Sequence, residues 1–145
     1  MATNAGVWID HNQAIVVLMT DAGAVILQTG KIGRRGEGPA FADAFRTWNV
    51  PVLGVVDGEA TAEAGDMVWL DSRTLLAGRG FRTNAAGIER LSELLRPLGV
   101  QVVPVELPCW KGPGEVLHLM SFISLLDHDL AVVYRKLMPV PLFEL

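Results

Sequence analysis

The sequence is short of cysteine, of charge and of long apolar runs, and each shortage removes a class of protein. The one cysteine, Cys109, cannot close an internal disulfide, which suits a reducing compartment and gives the expectation of a cytoplasmic protein. No set of Cys and His at zinc-ligand spacing exists either. No apolar stretch reaches the roughly 18 to 20 residues that a membrane span needs, so no membrane is expected as a partner. Met1-Ala-Thr-Asn-Ala-Gly lacks the basic stretch and apolar core of a signal peptide. Charged residues make up 19%, below the roughly 25% usual for soluble domains, and the formal net charge is −4. The only dense basic run, Lys31-Ile32-Gly33-Arg34-Arg35, reads as a solvated loop, so nucleic acid is not expected as a partner.

What the chain has in quantity is apolar surface. Half of its 145 residues are hydrophobic and its mean hydropathy is +0.34. That is enough for one domain with a real core. With no membrane to take the surplus, buried interfaces and a homo-oligomer are expected.

A pattern recurs three times: an apolar run, an Asp near a turn, then a second apolar run. It stands as VVLMTDAGAVIL around Asp21, MVWLDSRTLLAG around Asp71 and FISLLDHDLAVVY around Asp127, with 50 and then 56 positions between the aspartates. Such runs either side of Asp-Ala-Gly, Asp-Ser-Arg or Asp-His-Asp predict β-hairpins. A helix follows each of the first two. Residues 38–48 place Phe41, Ala44 and Phe45 on one face. Residues 84–99 start at Asn84, a favourable N-cap, set Ile88, Leu91, Leu94 and Leu95 at helical spacing, and close at Pro97 and Gly99. Each helix leads into a near-continuous apolar strand, VPVLGVV or VQVVPVEL. The unit is therefore strand, strand, helix, strand, and a third copy runs from Met120 to PVPLFEL, where its helix should be starting. The expected organisation is one incomplete domain. Modules occupy 19–57 and 65–107, a partial module occupies 116–145, and 1–18 form a divergent segment. VWIDHNQAIVVL echoes VWLDSRTLLAG and adds a candidate strand ahead of the first hairpin.

Candidate chemistry centres on Glu63, Asp66 and His118. A histidine beside a carboxylate can act as general acid or base, the carboxylate fixing its tautomer and raising its basicity. The plainer alternative is that the two acids cap a strand entrance and His118 is a satisfied core histidine. Residue type and spacing leave both open. GRGFRTNAAG is glycine-rich, but Gly78, Gly80 and Gly87 do not form a dinucleotide loop. Asp127-His128-Asp129 could ligate a metal, yet adjacent hairpin residues are expected to diverge and serve the turn. KGPGE ahead of His118 reads as a mobile loop beside a pocket mouth.

Three motifs in order sharpen this: Glu63-Ala64-Gly65-Asp66, then Arg82-Thr83-Asn84, then His118-Leu119. Together they resemble the Glu-Gly-Gly-Asp, Arg-Thr-Asn and His-Leu motifs of the guanidino-group-modifying enzymes, which include dimethylarginine dimethylaminohydrolase, arginine deiminase and glycine amidinotransferase. The match runs through roughly residues 20–145. The resemblance implies an α/β protein of repeated ββαβ modules, about half of a pentein-like α/β propeller of five units. It also implies hydrolysis or amidino transfer on an arginine-like substrate without metal or other cofactor. In that chemistry a cysteine thiolate attacks the guanidinium carbon. His118 would shuttle protons and Glu63 would orient it; Asp66 would help hold the guanidinium, and Arg82, at the far end of the pocket, would bind the substrate's carboxylate.

Two departures from the family pattern bear on activity. The family nucleophile lies in the last propeller unit, beyond the residues present, and Cys109 sits in ELPCWKGPGE, where the family has none. The family also has an aspartate shortly before the first hairpin, where Ile15 stands here. The expectation is a truncated or partial chain that is inactive alone. The alternative is a non-catalytic binding or assembly protein that keeps the fold and self-associates.

Overall fold

The computed structural model describes residues 17–20, 22–109 and 111–145. Residues 7–16 of the additional strand expected ahead of the first hairpin, Ile15 among them, and the turn residue Asp21 lie outside them, while Val17 and Leu18 belong to the hairpin itself.

The recurrent hairpins form as the apolar runs either side of each turn predict. β1 (Val17–Thr20) pairs antiparallel with β2 (Gly23–Ile26), β4 (Met67–Asp71) with β5 (Thr74–Arg79), and β7 (Ile123–Asp127) with β8 (Leu130–Val133). The repeated aspartate is turn chemistry. Asp71 accepts the amide of Arg73 at 2.7 Å and the hydroxyl of Thr74 at 3.0 Å, and Asp127 accepts the amide of His128 at 2.8 Å.

In the first two units a helix crosses over and returns a parallel strand. α1 (Glu37–Thr47) leads to β3 (Val52–Val55), which lies parallel to β2. α2 (Ala85–Leu95) leads to β6 (Gln101–Glu106), parallel to β5. The sheets are thus β1-β2-β3, β4-β5-β6 and β7-β8, and α3 (Val140–Phe143) is a single turn after the third hairpin. α2 starts where its cap predicts, with the Asn84 side chain accepting the amide of Gly87 at 2.8 Å. It ends through a 3-10 turn at Arg96–Leu98 into Gly99, whose φ of 73° is left-handed.

These elements stack as layers, and the core lies between them. Val25, Leu27 and Val56 of the first unit meet Ile88, Leu91 and Leu95 of α2, which in turn cover Leu75 and Ala77 of the second sheet. The other face of that sheet, with Val68, Leu76 and Val105, packs on Phe122, Ile123 and Leu142. On the outer side of the first sheet, Ala24 and Ile26 meet Phe45 of α1. Burying each large aliphatic side chain of this kind contributes roughly 1.5–3 kcal/mol.

The near-continuous apolar strands are not the most buried ones. VPVLGVV and VQVVPVEL became β3 and β6, which are largely half-exposed. The strands buried on both faces are the middle ones, β2 and β5. Alternate side chains of a middle strand enter two different cores, so neither alternation nor exposure marks it. The basic run also differs from a freely solvated loop, because Arg34 forks onto Glu37 through bonds of 2.8 and 2.7 Å at the start of α1.

Candidate active site

The first two units clamp the segment that carries the acids. The Gln28 side chain donates to the carbonyls of Gly58 and Ala60 at 2.8 Å, and the amide of Ala62 donates to the Gln28 carbonyl at 2.8 Å. At the α2 N-terminus, Asn84 accepts the amide of Thr61 at 3.0 Å, and the Asn84 amide donates to the Thr61 carbonyl at 3.1 Å. The approach is so close that a Cβ on Gly87 would stand 1.9 Å from the Thr61 oxygen, so this position admits only glycine. Glu63 emerges from the clamp, and a 3-10 turn at Ala64–Asp66 then enters β4.

Asp66 is fully buried beneath His118. Its Oδ1 lies 2.9 Å from His118 Nδ1 and accepts the amide of Leu119 at 3.3 Å, while its Oδ2 accepts the Thr83 hydroxyl at 2.6 Å. On the other edge of the imidazole, Nε2 stands 3.6 Å from Oε2 of Glu63. Glu63 Oε1 accepts the Thr29 hydroxyl and faces Arg82 Nη1 at 3.4 Å. The ring rests on the backbone of Gly65, where a Cβ would come within 3.0 Å of its Cγ. The second glycine of the family's Glu-Gly-Gly-Asp motif therefore has a steric reason to persist. Ala64 at the first position packs against the core beside α2.

Hydrogen-bond polarity fixes the histidine. Both oxygens of Asp66 accept from donors, as suits an ionised carboxylate, and an ionised Asp66 can only accept from His118, whose Nδ1 then carries a proton. Neutral His118 then presents a bare Nε2 toward Glu63, and protonated His118 places its second proton there. The bond to Asp66 is the main cause that holds the His118 pKa above its usual value. Burial opposes it, the charges of Asp66 and Glu63 reinforce it, and Arg82 lowers it.

The structure thus brings together all four sequence candidates, Glu63, Asp66, Arg82 and His118, but in a different arrangement. Asp66, expected to hold a guanidinium, has both oxygens engaged and no exposed surface, and it is the acid bonded to His118. Glu63 stands across the ring from it. Arg82 is beside Glu63 rather than at the far end of the pocket. Sequence reasoning missed Thr29 and Thr83, both fully buried; only the place of Thr83 between Arg82 and Asn84 could have drawn notice.

Cys109 is exposed and lines a separate cavity of about 280 Å³ with Arg79, Phe81, Glu106 and Glu115, none of them part of the histidine cluster. In the segment ahead of His118, Lys111 pairs with Glu115 at 3.2 Å, while Trp110 lies outside the described residues. The side chains of Asp127, His128 and Asp129 do not diverge as expected, since their ligand atoms lie within 4.8 Å of one another, but all three are exposed, and Asp127 serves the turn as expected. No helix among the described residues is long and apolar enough to cross a membrane.

Comparison with known proteins identifies the chain's relatives. The family model described as arginine deiminase matches residues 37–143. A dimethylarginine dimethylaminohydrolase of Streptomyces coelicolor is 32% identical over 118 residues, covering 81% of this chain and 43% of the relative. Among solved structures, a Pseudomonas aeruginosa dimethylarginine dimethylaminohydrolase, a cysteine-to-serine variant complexed with citrulline, aligns with a TM-score of 0.74 at 25% identity, over 89% of this chain and 48% of that one. The amino-terminal domain of a cyanobacterial arginine dihydrolase shares the fold, with a TM-score of 0.73 at 21% identity over 90% of this chain and 46% of that domain. The chain spans about half the length of the relatives it matches, and its layers form about half of a pentein-like α/β propeller. On its sequence and its fold, the chain belongs to the arginine deiminase family.

Proposed function

We propose that residues 63–119 form the proton-handling wall of a guanidino-modifying centre, one that hydrolyses or transfers the amidino group of an arginine-like substrate. The observation that carries this reading is His118 held between two carboxylates, bonded to Asp66 on one edge and open toward Glu63 on the other. In the reaction His118 Nε2 would take and return a proton at the substrate's guanidino nitrogen. Glu63, across the ring, would hold the guanidinium or steady the protonated imidazole. Asp66 would act from behind the ring rather than on the substrate. Arg82 would exchange its 3.4 Å contact with Glu63 for the substrate's carboxylate, a better-matched partner for its fork.

The covalent step of this family's chemistry needs a thiolate on the guanidinium carbon, and Cys109 does not stand with His118. The nucleophile would therefore come from outside these 145 residues. The purified 145-residue chain is expected to form no citrulline from arginine or dimethylarginine; measurable turnover would overturn the assignment of the nucleophile. It should still bind an arginine analogue, and Arg82→Ala should weaken that binding about ten- to a hundredfold by isothermal calorimetry. Unchanged affinity would remove Arg82 from the site.

Within this reading the propeller modules are 19–57, 65–107 and the partial 116–145, with 1–18 as a separate leading segment in a cytoplasmic protein. A second reading, assembly without catalysis, has its own observation. Leu126, Leu130, Val132 and Tyr134 are all at least half exposed on or beside the third sheet. Self-association through that face would appear in light scattering as a mass that falls on dilution.

A further inference from the structure

Thr83 is buried to zero exposure, and its single hydroxyl touches both acids of the site. It accepts the backbone amide of Glu63 at 3.0 Å and lies 2.6 Å from Oδ2 of Asp66. An amide can only donate, so the hydroxyl's one proton is left for Asp66. With the Leu119 amide on Oδ1, both oxygens of Asp66 accept, and from an ionised Asp66 the bond to His118 takes its proton from Nδ1. The order of donors runs from the Glu63 amide through Thr83 and Asp66 to His118. A backbone amide 55 residues away in sequence from the histidine therefore orients the hydroxyl that anchors its acid.

We propose that Thr83 is a positioning residue of this centre, one that locks Asp66 against His118 and so leaves Nε2 as the atom that exchanges the proton with substrate. The role rests on the proposed function for its place in catalysis, but the tautomer it imposes exists whether or not that function holds. Its backbone is pinned as well, because the Gly80 amide donates to the Thr83 carbonyl at 2.9 Å, and the next residue, Asn84, caps α2. Thr29 makes a comparison possible inside the same molecule. It is equally buried, accepts the Lys31 amide at 3.1 Å and donates to Glu63, but has no bond to Asp66. The charged groups facing His118 are Asp66, Glu63 and Arg82.

Nitrogen-15 NMR of the His118 imidazole in the 145-residue chain tests this directly. The wild-type chain should show neutral His118 protonated at Nδ1, the less common tautomer in water. Thr83→Val should shift the ring toward the Nε2-protonated form and lower its titration midpoint by on the order of one pH unit as Asp66 loses its anchor. Thr83→Ser should keep the wild-type spectrum, and Thr29→Val should keep the Nδ1 tautomer although it deletes an equally buried hydroxyl. An unchanged tautomer in Thr83→Val, or the same loss in Thr29→Val, would overturn the proposal. Should Thr83→Val fail to fold, the wild-type Thr83 hydroxyl proton decides. A slowly exchanging resonance supports the relay, and rapid exchange with water ends it. Failure of the arginine-analogue experiment with the tautomer result intact would sink the guanidino reading alone.

Discussion

The second and third sheets are built from the same hairpin, yet one is enclosed and the other is half open. β4-β5-β6 has α2 on one face and Phe122, Ile123 and Leu142 on the other. β7-β8 gives Ile123, Leu125 and Val133 to the shared core, while Leu126, Leu130 and Val132 on its opposite face remain between 56% and 62% exposed. The difference lies in the layers. α2 and α3 each pack on the face turned toward the preceding sheet, and the second sheet's other face is covered by the third unit, whereas no described residue plays that part for the third sheet. The site draws its acids from the enclosed unit and its histidine from the threshold of the open one. The carboxylates thus sit in a frame held on both sides, and the proton carrier sits where that frame ends.

The contrast should break most sharply at the cores. Leu91→Ala in α2 removes a fully buried side chain shared by the first two sheets, and should cost about 2–5 kcal/mol in denaturant unfolding. Val132→Ala on the open face should cost no more than about 0.5 kcal/mol. Equal losses would mean that the third sheet is covered in solution.

At the junction of the two units the effects are smaller and depend on pH. Asp66→Asn should cost about 2 kcal/mol near pH 6, because the acceptors used by Thr83, Leu119 and His118 are no longer all present. His118 has a folded pKa raised above its unfolded value of about 6.5, so protonation favours the fold. That contribution is complete below the unfolded value and fades as pH rises through the folded one. The stability gap between wild type and Asp66→Asn should therefore narrow on the alkaline side; a gap that widens there would contradict the assigned pair.

The smallest effect on stability, and the sharpest on assembly, belongs to the open face. Val132→Lys should change unfolding by no more than about 0.5 kcal/mol while lowering the mass seen by sedimentation, if copies meet through that sheet. An unchanged mass would leave the exposed apolar face without a role in self-association.

Much of this was legible in the sequence, because the helices and hairpins depend on local spacing. Asn84 capped α2 where expected, and the first helix fell at Glu37–Thr47 against the reading of 38–48. Which strands are buried on both faces was not legible. β3 and β6 are as apolar as β2 and β5, and only the stacking of layers distinguishes them. The site residues could be named from their motifs, but not their pairing. Glu63 and Asp66 stand three positions apart, and the sequence does not say which of them the histidine meets. Thr29 carried no signal, and Thr83 stood in a named motif without a role, because the significance of both is burial and they reach their acids across 34 and 17 positions.

The bond between Asp66 and His118 joins residues 52 positions apart and spans the seam between the second and third units. It therefore does double duty as a latch. If the third unit lifts away, the imidazole leaves its acid as the core shared by the two sheets opens, while the core between α2 and the first sheet stays closed. The basicity of one histidine is thereby tied to the docking of the two units, since the bond that raises it crosses their seam.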